Sequence, residues 1–400
     1  MSVSKSNIFE CVVVGKGLVG SAAARHLQNL IGNVAVIGPD EPKDYNASSV
    51  FASHYDQGRV QRIIGVDPVW TLLNQRSAMR YPMLEKESGI QFHTPVGCLY
   101  VSHVGKDEYV DNVPTQAQKF NTGYQFLNSG DEIHKCLPAY NFPNQAFGVL
   151  ENGPAGYINP MNLVQAQLAL FNKQGGVTLT DTVSSVRKSG SEYEVDIESG
   201  ETLRANRVLI TAGAFSNFHS LIPKPLDLFM KSETVLLAQV SSAEVLRLKN
   251  LPSLLYEIDN GSVEGIYAVP PVIYPDGNIY FKIGCNLPSD IVFTELAEIQ
   301  EWFRHGDSDA NIPAIRDALN VIMPDLKVEK FKSKRCLISR TKTKKAYIGR
   351  ADDHQLFVAA GGNGYTAMCS EATGEIAAHF TVHGVGSEGF NIEDFKPVFN

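Results

Sequence analysis

FECVVVGKGLVGSAAARHLQNL, residues 9–30, opens with an apolar run that stops in glycine and continues as small and apolar residues at helical spacing. The run reads as a buried strand and the continuation as a helix. Gly15-Lys16-Gly17-Leu18-Val19-Gly20 therefore fits GxGxxG in the setting the motif needs, after a strand and opening a helix. The first glycine makes the tight turn, the second lets a pyrophosphate approach the backbone, and the third lets helix and strand pack closely, with the anion at the helix N-terminus. NVAVIG, residues 33–38, supplies the next buried strand and completes β-α-β. A glycine-rich turn without a ligand is the competing reading, and the context speaks against it. The acid that closes the second strand in dinucleotide sites is replaced by Gly38, so Asp40 or Glu41, just beyond, is the candidate ribose contact. That departure weakens an NAD reading.

Around this stretch the composition is that of a globular chain: 400 residues, 44% hydrophobic and 20% charged, long enough for two domains. A net charge of -8 excludes a nucleic-acid footprint, which needs a basic face. The N-terminal residues MSVSKSNIFECVVVGKG lack the basic region, apolar region and cleavage site of a signal peptide, because the apolar run Cys11 to Val14 ends at once in glycine, and no apolar stretch reaches the roughly 20 residues of a membrane span. The expectation is a cytoplasmic protein with no membrane partner. Six cysteines stand singly with no CxxC pair, so reduced thiols and no metal site are expected.

Further along, residues 68–88 and MNLVQAQLALFNKQ, residues 161–174, read as helices. GVTLTDTVSSVRKSG, EYEVDIESG and ETLRANRVLITAGA read as three strand-like runs, and IYAVPPVIYPDGNIYFKIGCN as a hairpin turning at Pro275-Asp276-Gly277-Asn278. HQLFVAAGGNGYTAMCSEATGEIAAHF reads as strand, glycine-rich turn and helix. Nucleotide-binding pieces at both ends around a β-rich middle imply two domains interleaved in sequence.

Several residues carry competing readings. SHYDQGRVQR, residues 53–62, sets Arg59 and Arg62 three apart, as a carboxylate or phosphate fork or as solvated surface cations. Lys282, in IYFKIG, is either a gatekeeper on an edge strand or a buried functional cation. KSKRCLISRTKTKK, residues 332–345, places Cys336 among seven cations with no acid between them, as a buried thiol in a solvated basic run or as a reactive thiolate.

Taken together, the glycine motif, the SxxxxxRxxR pattern at Ser53, Arg59 and Arg62, LITAGAFSN, YAVPP followed by FKIG, Cys336 with Thr341, and VAAGGNGYTAMCSEATG resemble monomeric sarcosine oxidase and related flavin amine oxidases. The resemblance runs in order from about residue 9 to residue 382. It implies an α/β fold: a Rossmann-like FAD-binding domain (residues 1–90, 150–220 and 335–400) interleaved with a substrate domain on a large mixed β-sheet (91–149 and 221–334). Contacts to FAD fall on Gly15, Gly17, Leu18, Val19, Gly20, Asp40, Ser53, His54, Arg59, Ala212, Gly213, Gly361, Gly362, Gly364 and Tyr365. Cys336 matches the cysteine bonded covalently to the flavin. Lys282 and Arg59 match the catalytic cations beside the flavin ring, with Lys282 activating O2. Arg62, Tyr267, Tyr365 and Met368 match the substrate pocket.

Met368 stands where sarcosine oxidase has a second cation for the substrate carboxylate, and Tyr365 where it has a histidine. Losing that cation disfavours sarcosine and favours a larger or less polar secondary amine held by Arg62. The implied reaction is oxidation of an N-substituted or cyclic amino acid: hydride to flavin, imine hydrolysis, O2 reduced to H2O2. The implied partners are a small amine and O2, and the implied state is a monomer. A dehydrogenase using another acceptor and a flavin-binding protein without turnover are the rival readings.

Overall fold

The computed structural model describes residues 8–102 and 108–400; residues 1–7, on which the reading of the N-terminus drew, lie outside them. Two sheets organise the fold. The first has six strands in the order Val177–Leu179, Val34–Ile37, Cys11–Val14, Val208–Ile210, Leu356–Ala360, Tyr347–Arg350, all parallel except the last pairing. Its central strands are short, apolar and fully buried, as a sheet covered on both faces requires. Helix Leu18–Ile31 follows the first strand and packs on helix Thr366–His383. The approach is close enough that a Cβ at Gly374 would come within 2.6 Å of the Ala22 methyl. Beneath these helices lies a buried ionic cluster: Glu371 accepts from Arg25 at 2.6 Å, from Arg80 at 3.3 Å and from Gln167 at 2.5 Å. It ties together helices Leu18–Ile31, Pro68–Ser88, Pro160–Lys173 and Thr366–His383.

The second sheet has nine strands. Val328–Thr341 and Ile279–Asn286 flank Leu228–Val240, and the sheet continues through Glu264–Ile273, Ser253–Asp259, Cys98–Ser102 and Phe147–Glu151. It is mixed, because Ser253–Asp259 runs parallel to Cys98–Ser102 while its other neighbour is antiparallel. One face carries Leu236, Ala238, Phe281 and Ile283 into an apolar core with Tyr256 and Leu319. The opposite face turns toward the glycine motif.

The expected hairpin forms, with Glu264–Ile273 antiparallel to Ile279–Asn286. Two of the runs read as single strands divide. Val177–Leu179 joins the parallel sheet while Val183–Ser189 joins a four-stranded one, and Thr202–Ala205 and Val208–Ile210 part in the same way. At the second break the Asn206 amide donates to the Phe9 carbonyl and its side chain to Glu10, so both chains step between sheets at one level. The boundary expected between residues 334 and 335 falls inside strand Val328–Thr341. Among the described residues no helix is long and apolar enough to cross a membrane.

Candidate active site

Between the two sheets lies a cavity of about 520 Å3, within the range that encloses a sizeable organic ligand. One end is built by the glycine turn. Gly15 has φ +106, and a Cβ there would sit 2.6 Å from the Thr211 carbonyl, so only glycine fits. Thr211 Oγ1 closes the turn by donating to the Val14 and Gly15 carbonyls at 3.0 and 2.8 Å. Helix Leu18–Ile31 has no acid in its first turn, nor has Thr366–His383, which follows the Gly361–Tyr365 turn. Both N-termini are thus suited to an anion.

Gly38 has a local cause. A Cβ at that position would fall 2.7 Å from the Lys16 amide and 2.8 Å from its Cγ. Lys16 occupies the space an acidic side chain would fill, and its Nζ reaches Asp40 at 2.5 Å and Thr180 at 2.8 Å. The acid has moved two residues along and is bridged by a lysine; Asp40 itself does not line the cavity.

The other end is the face of the nine-stranded sheet. Register aligns Cys336 with Glu233, and sets Lys334, Val235, Gly284, Tyr267, Leu255 and Tyr100 in one row. Gly284 leaves room for the Tyr267 ring, which a Cβ would strike. Arg62 is 3% exposed and lies over the Tyr365 ring, 5.1 Å from its centroid; Tyr365 in turn meets Trp70 edge-on at 5.1 Å. Met368 lines the same wall, its carbonyl accepting from Tyr81 at 2.7 Å. Behind Arg62, Glu151 is fully buried and accepts from Tyr100 at 2.6 Å and from the Ile63 amide at 3.0 Å. Burial raises its carboxyl to about 7, against the pull of Tyr100 and of Arg62.

Of the residues proposed from sequence, Gly15, Gly17, Leu18, Val19, Ser53, His54, Arg59, Arg62, Ala212, Gly213, Tyr267, Cys336, Gly361, Gly362, Gly364, Tyr365 and Met368 line this one cavity. Gly20 instead packs on the Gly15 backbone. His54 is held neutral, its pKa lowered to about 4 by burial and by Lys16 and Arg59. Arg59 reaches to 3.8 Å from Cys336 Sγ.

The gatekeeper reading of Lys282 is overturned: its strand is interior, between Leu228–Val240 and Glu264–Ile273, and the residue is 0% exposed. Its ammonium lies beside the cavity lining rather than in it, donating to Asp56 and to the Gly58 carbonyl, each at 2.7 Å. Solvation holds for Lys332, Lys342 and Lys344 of the basic run and is corrected for the other four cations, which are half-buried. Lys334 bonds the Tyr55 carbonyl, Arg335 the Phe303 carbonyl and Lys345 the Asp67 carboxylate. Of the seven cations only Arg340 lines the cavity; Lys16, Arg59 and Arg62 supply the remaining positive charge. Sequence reading missed Asp56, Glu233, Glu257 and Asn286. Asp56 was legible as an acid three residues before Arg59, whereas the others depend on strand register.

The model of the family described as FAD dependent oxidoreductase matches residues 10–380. The chain belongs to that family. Monomeric sarcosine oxidase of Streptomyces avermitilis is 23% identical over 395 residues, 97% of each chain. N-methyl-L-tryptophan oxidase of Yersinia pestis is 24% identical over 211 residues, 52% of this chain and 54% of that one. The fold is that of NikD, an unusual amino acid oxidase essential for nikkomycin biosynthesis, with a TM-score of 0.77, 16% identity and 98% of each chain covered. Family membership makes FAD the group to fit. A pyrophosphate suits the Gly15 cradle, where a side chain would collide, and the two helix N-termini. The cavity then continues past Cys336 to Arg62, room for a ring system and a small substrate.

Proposed function

We propose that this protein oxidises a secondary amine, an N-substituted or cyclic amino acid, with FAD linked covalently through Cys336. The observation that carries the reading is the buried Arg62 cation on the cavity that also holds the Gly15 turn and Cys336. A buried guanidinium is a two-pronged partner for a carboxylate. FAD when bound supplies the two-electron chemistry, taking a hydride from the carbon beside nitrogen and delivering the electrons to O2 as H2O2.

The chain's own residues bind, orient and shield. Arg62, held against Tyr365, fixes the substrate carboxylate, and Tyr267 and Met368 wall the side chain. Met368, standing where the resemblance places a second cation, favours substrates larger and less polar than sarcosine. Arg59, near Cys336, and Lys282, paired with the same carboxylate, would supply positive charge to a ring system held at Cys336, and such preorganised charge is worth about 3 kcal/mol to a developing anion. His54, neutral at pH 7, adds no charge there. The amine binds in its neutral form, so no side-chain base is needed. Water then hydrolyses the released imine to an amine and a carbonyl compound. Segments 1–90, 150–220 and 335–400 are proposed to carry the cofactor.

The test is an oxygen electrode and peroxide assay on the purified protein with a panel of N-methyl and cyclic amino acids. Equal oxygen consumption and peroxide formation with at least one member is expected. Amine turnover with an artificial acceptor and none with O2 assigns the dehydrogenase reading, and no turnover with either rejects the proposal.

A further inference from the structure

Asp56 sits at the centre of a buried cluster beside the cavity. It is 2% exposed. One carboxylate oxygen accepts from Lys282 Nζ at 2.7 Å, and the other from the Tyr274 hydroxyl at 2.7 Å and the Gln57 amide at 2.8 Å. The Arg59 guanidinium pairs with the same carboxylate. Two cations therefore share one buried anion, Lys282 fully buried and Arg59 partly exposed. Lys282 also lies 5.7 Å from the Tyr267 ring centroid.

Burial works against the lysine's charge, and so do Arg59 and Lys334; Cys336 and Glu233 favour it. Of the groups that offset the repulsion between Arg59 and Lys282, the Asp56 carboxylate is the one that contacts both cations. Arginine keeps its proton under any of these conditions, whereas a buried lysine gives its proton up readily. The carboxylate's contact therefore bears directly on the state of Lys282.

We propose that Asp56 is a positioning residue for the cation pair beside the flavin: its carboxylate keeps Lys282 charged through the neutral range and ties it, with Arg59, to the strap formed by residues 53–59. The strap thus determines both the place and the charge of a lysine that comes from the nine-stranded sheet. The consequence for the cofactor rests on the flavin reading above; the coupling of Asp56 to Lys282 does not.

Two measurements separate them. The first is thermal unfolding of the full chain as wild type, Asp56→Asn, Lys282→Met and the double variant, between about pH 6 and about pH 9. A lysine whose folded pKa lies below its unfolded value destabilises the fold while charged, so stability rises with pH across that gap. The difference between Asp56→Asn and the double variant should rise by several degrees across the interval, and that between wild type and Lys282→Met should rise less and only toward its upper end. Equal slopes in both comparisons overturn the proposal. Recovery of the double variant folded where Asp56→Asn alone is not reads the same coupling as yield. Loss of both overturns the proposal, since the cluster then serves the fold and not the lysine's charge. The second measurement is the visible spectrum of bound flavin against pH. Asp56→Asn should show one added ionisation that the double variant lacks, and an ionisation present in both contradicts the assignment to Lys282. Protein that carries no flavin removes the flavin reading and leaves the unfolding result standing.

Discussion

Replacing Arg62 by methionine removes the charge proposed to hold the substrate and keeps most of the side-chain volume. Arg62 is 3% exposed, so its contact with a carboxylate forms out of water. A charge-assisted hydrogen bond there is worth about 1.5 to 3 kcal/mol, and a two-pronged contact about 3 to 4 kcal/mol, which is roughly a 100- to 1,000-fold loss in kcat/KM. Two local effects accompany it. Tyr365 loses the cation over its ring, at a cost of about 1 kcal/mol. Glu151, whose carboxyl Arg62 pulls down, moves further above its value of about 7. The assay compares kcat/KM for an N-methyl amino acid with that for the amine of the same side chain lacking the carboxylate, at flavin content matched by absorbance. The loss should fall on the amino acid and leave the simple amine within about threefold. An equal loss on both, or less than about tenfold on the amino acid, refutes the carboxylate anchor.

Wild-type protein precipitated with acid should retain its yellow colour and Cys336→Ser should release it into the supernatant; colour lost from wild type, or kept by the variant, contradicts the thioether. Glu151→Gln tests a pH dependence: with the folded carboxyl raised from 4.5 to about 7, the wild type loses stability as pH climbs through that window, by on the order of 3 kcal/mol. The glutamine variant should lack that decline in denaturant titrations at pH 5 and pH 8, and parallel curves for the two proteins would count against it. Glu371 has the opposite sign, its folded carboxyl held well below the usual range by His26, Arg25 and Gln167 despite complete burial. Its stabilisation is present above about pH 4.5 and lost as pH falls. Glu371→Ala should cost about 3 to 5 kcal/mol in urea at pH 7, with a flattened acid limb; a loss under about 1 kcal/mol removes the cluster from the account.

The β-α-β unit at residues 9–38 was legible because each part obeys a local rule: continuous apolar strands, glycines at fixed offsets and a helix of small residues. The Gly361–Tyr365 turn and its helix were legible on the same grounds. Gly38 read as a missing acid, yet its cause is the Lys16 side chain 22 positions back in sequence, a contact no local pattern reports. The basic run 332–345 misled because charge was counted along the chain, whereas a strand sends alternate residues to opposite sides. Arg335 faces helix Leu296–His305, and Lys345 reaches Asp67 at a turn. Lys282 and Asp56 are 226 residues apart and meet only because strand Ile279–Asn286 is set against the 53–59 strap. Such long-range partners, like Glu233 and Cys336 on neighbouring strands of one sheet, are consequences of packing and register and were beyond a reading of motifs.

The central claim, that an amine bound at Arg62 delivers its electrons to a flavin in this cavity, is tested most directly without oxygen. An N-methyl or cyclic amino acid is added anaerobically to the purified yellow protein, and the flavin absorption band is followed. The account predicts bleaching with at least one such amino acid, and return of the colour when air is admitted. A band that persists with every member of the panel, in protein shown to hold its full complement of FAD, contradicts it.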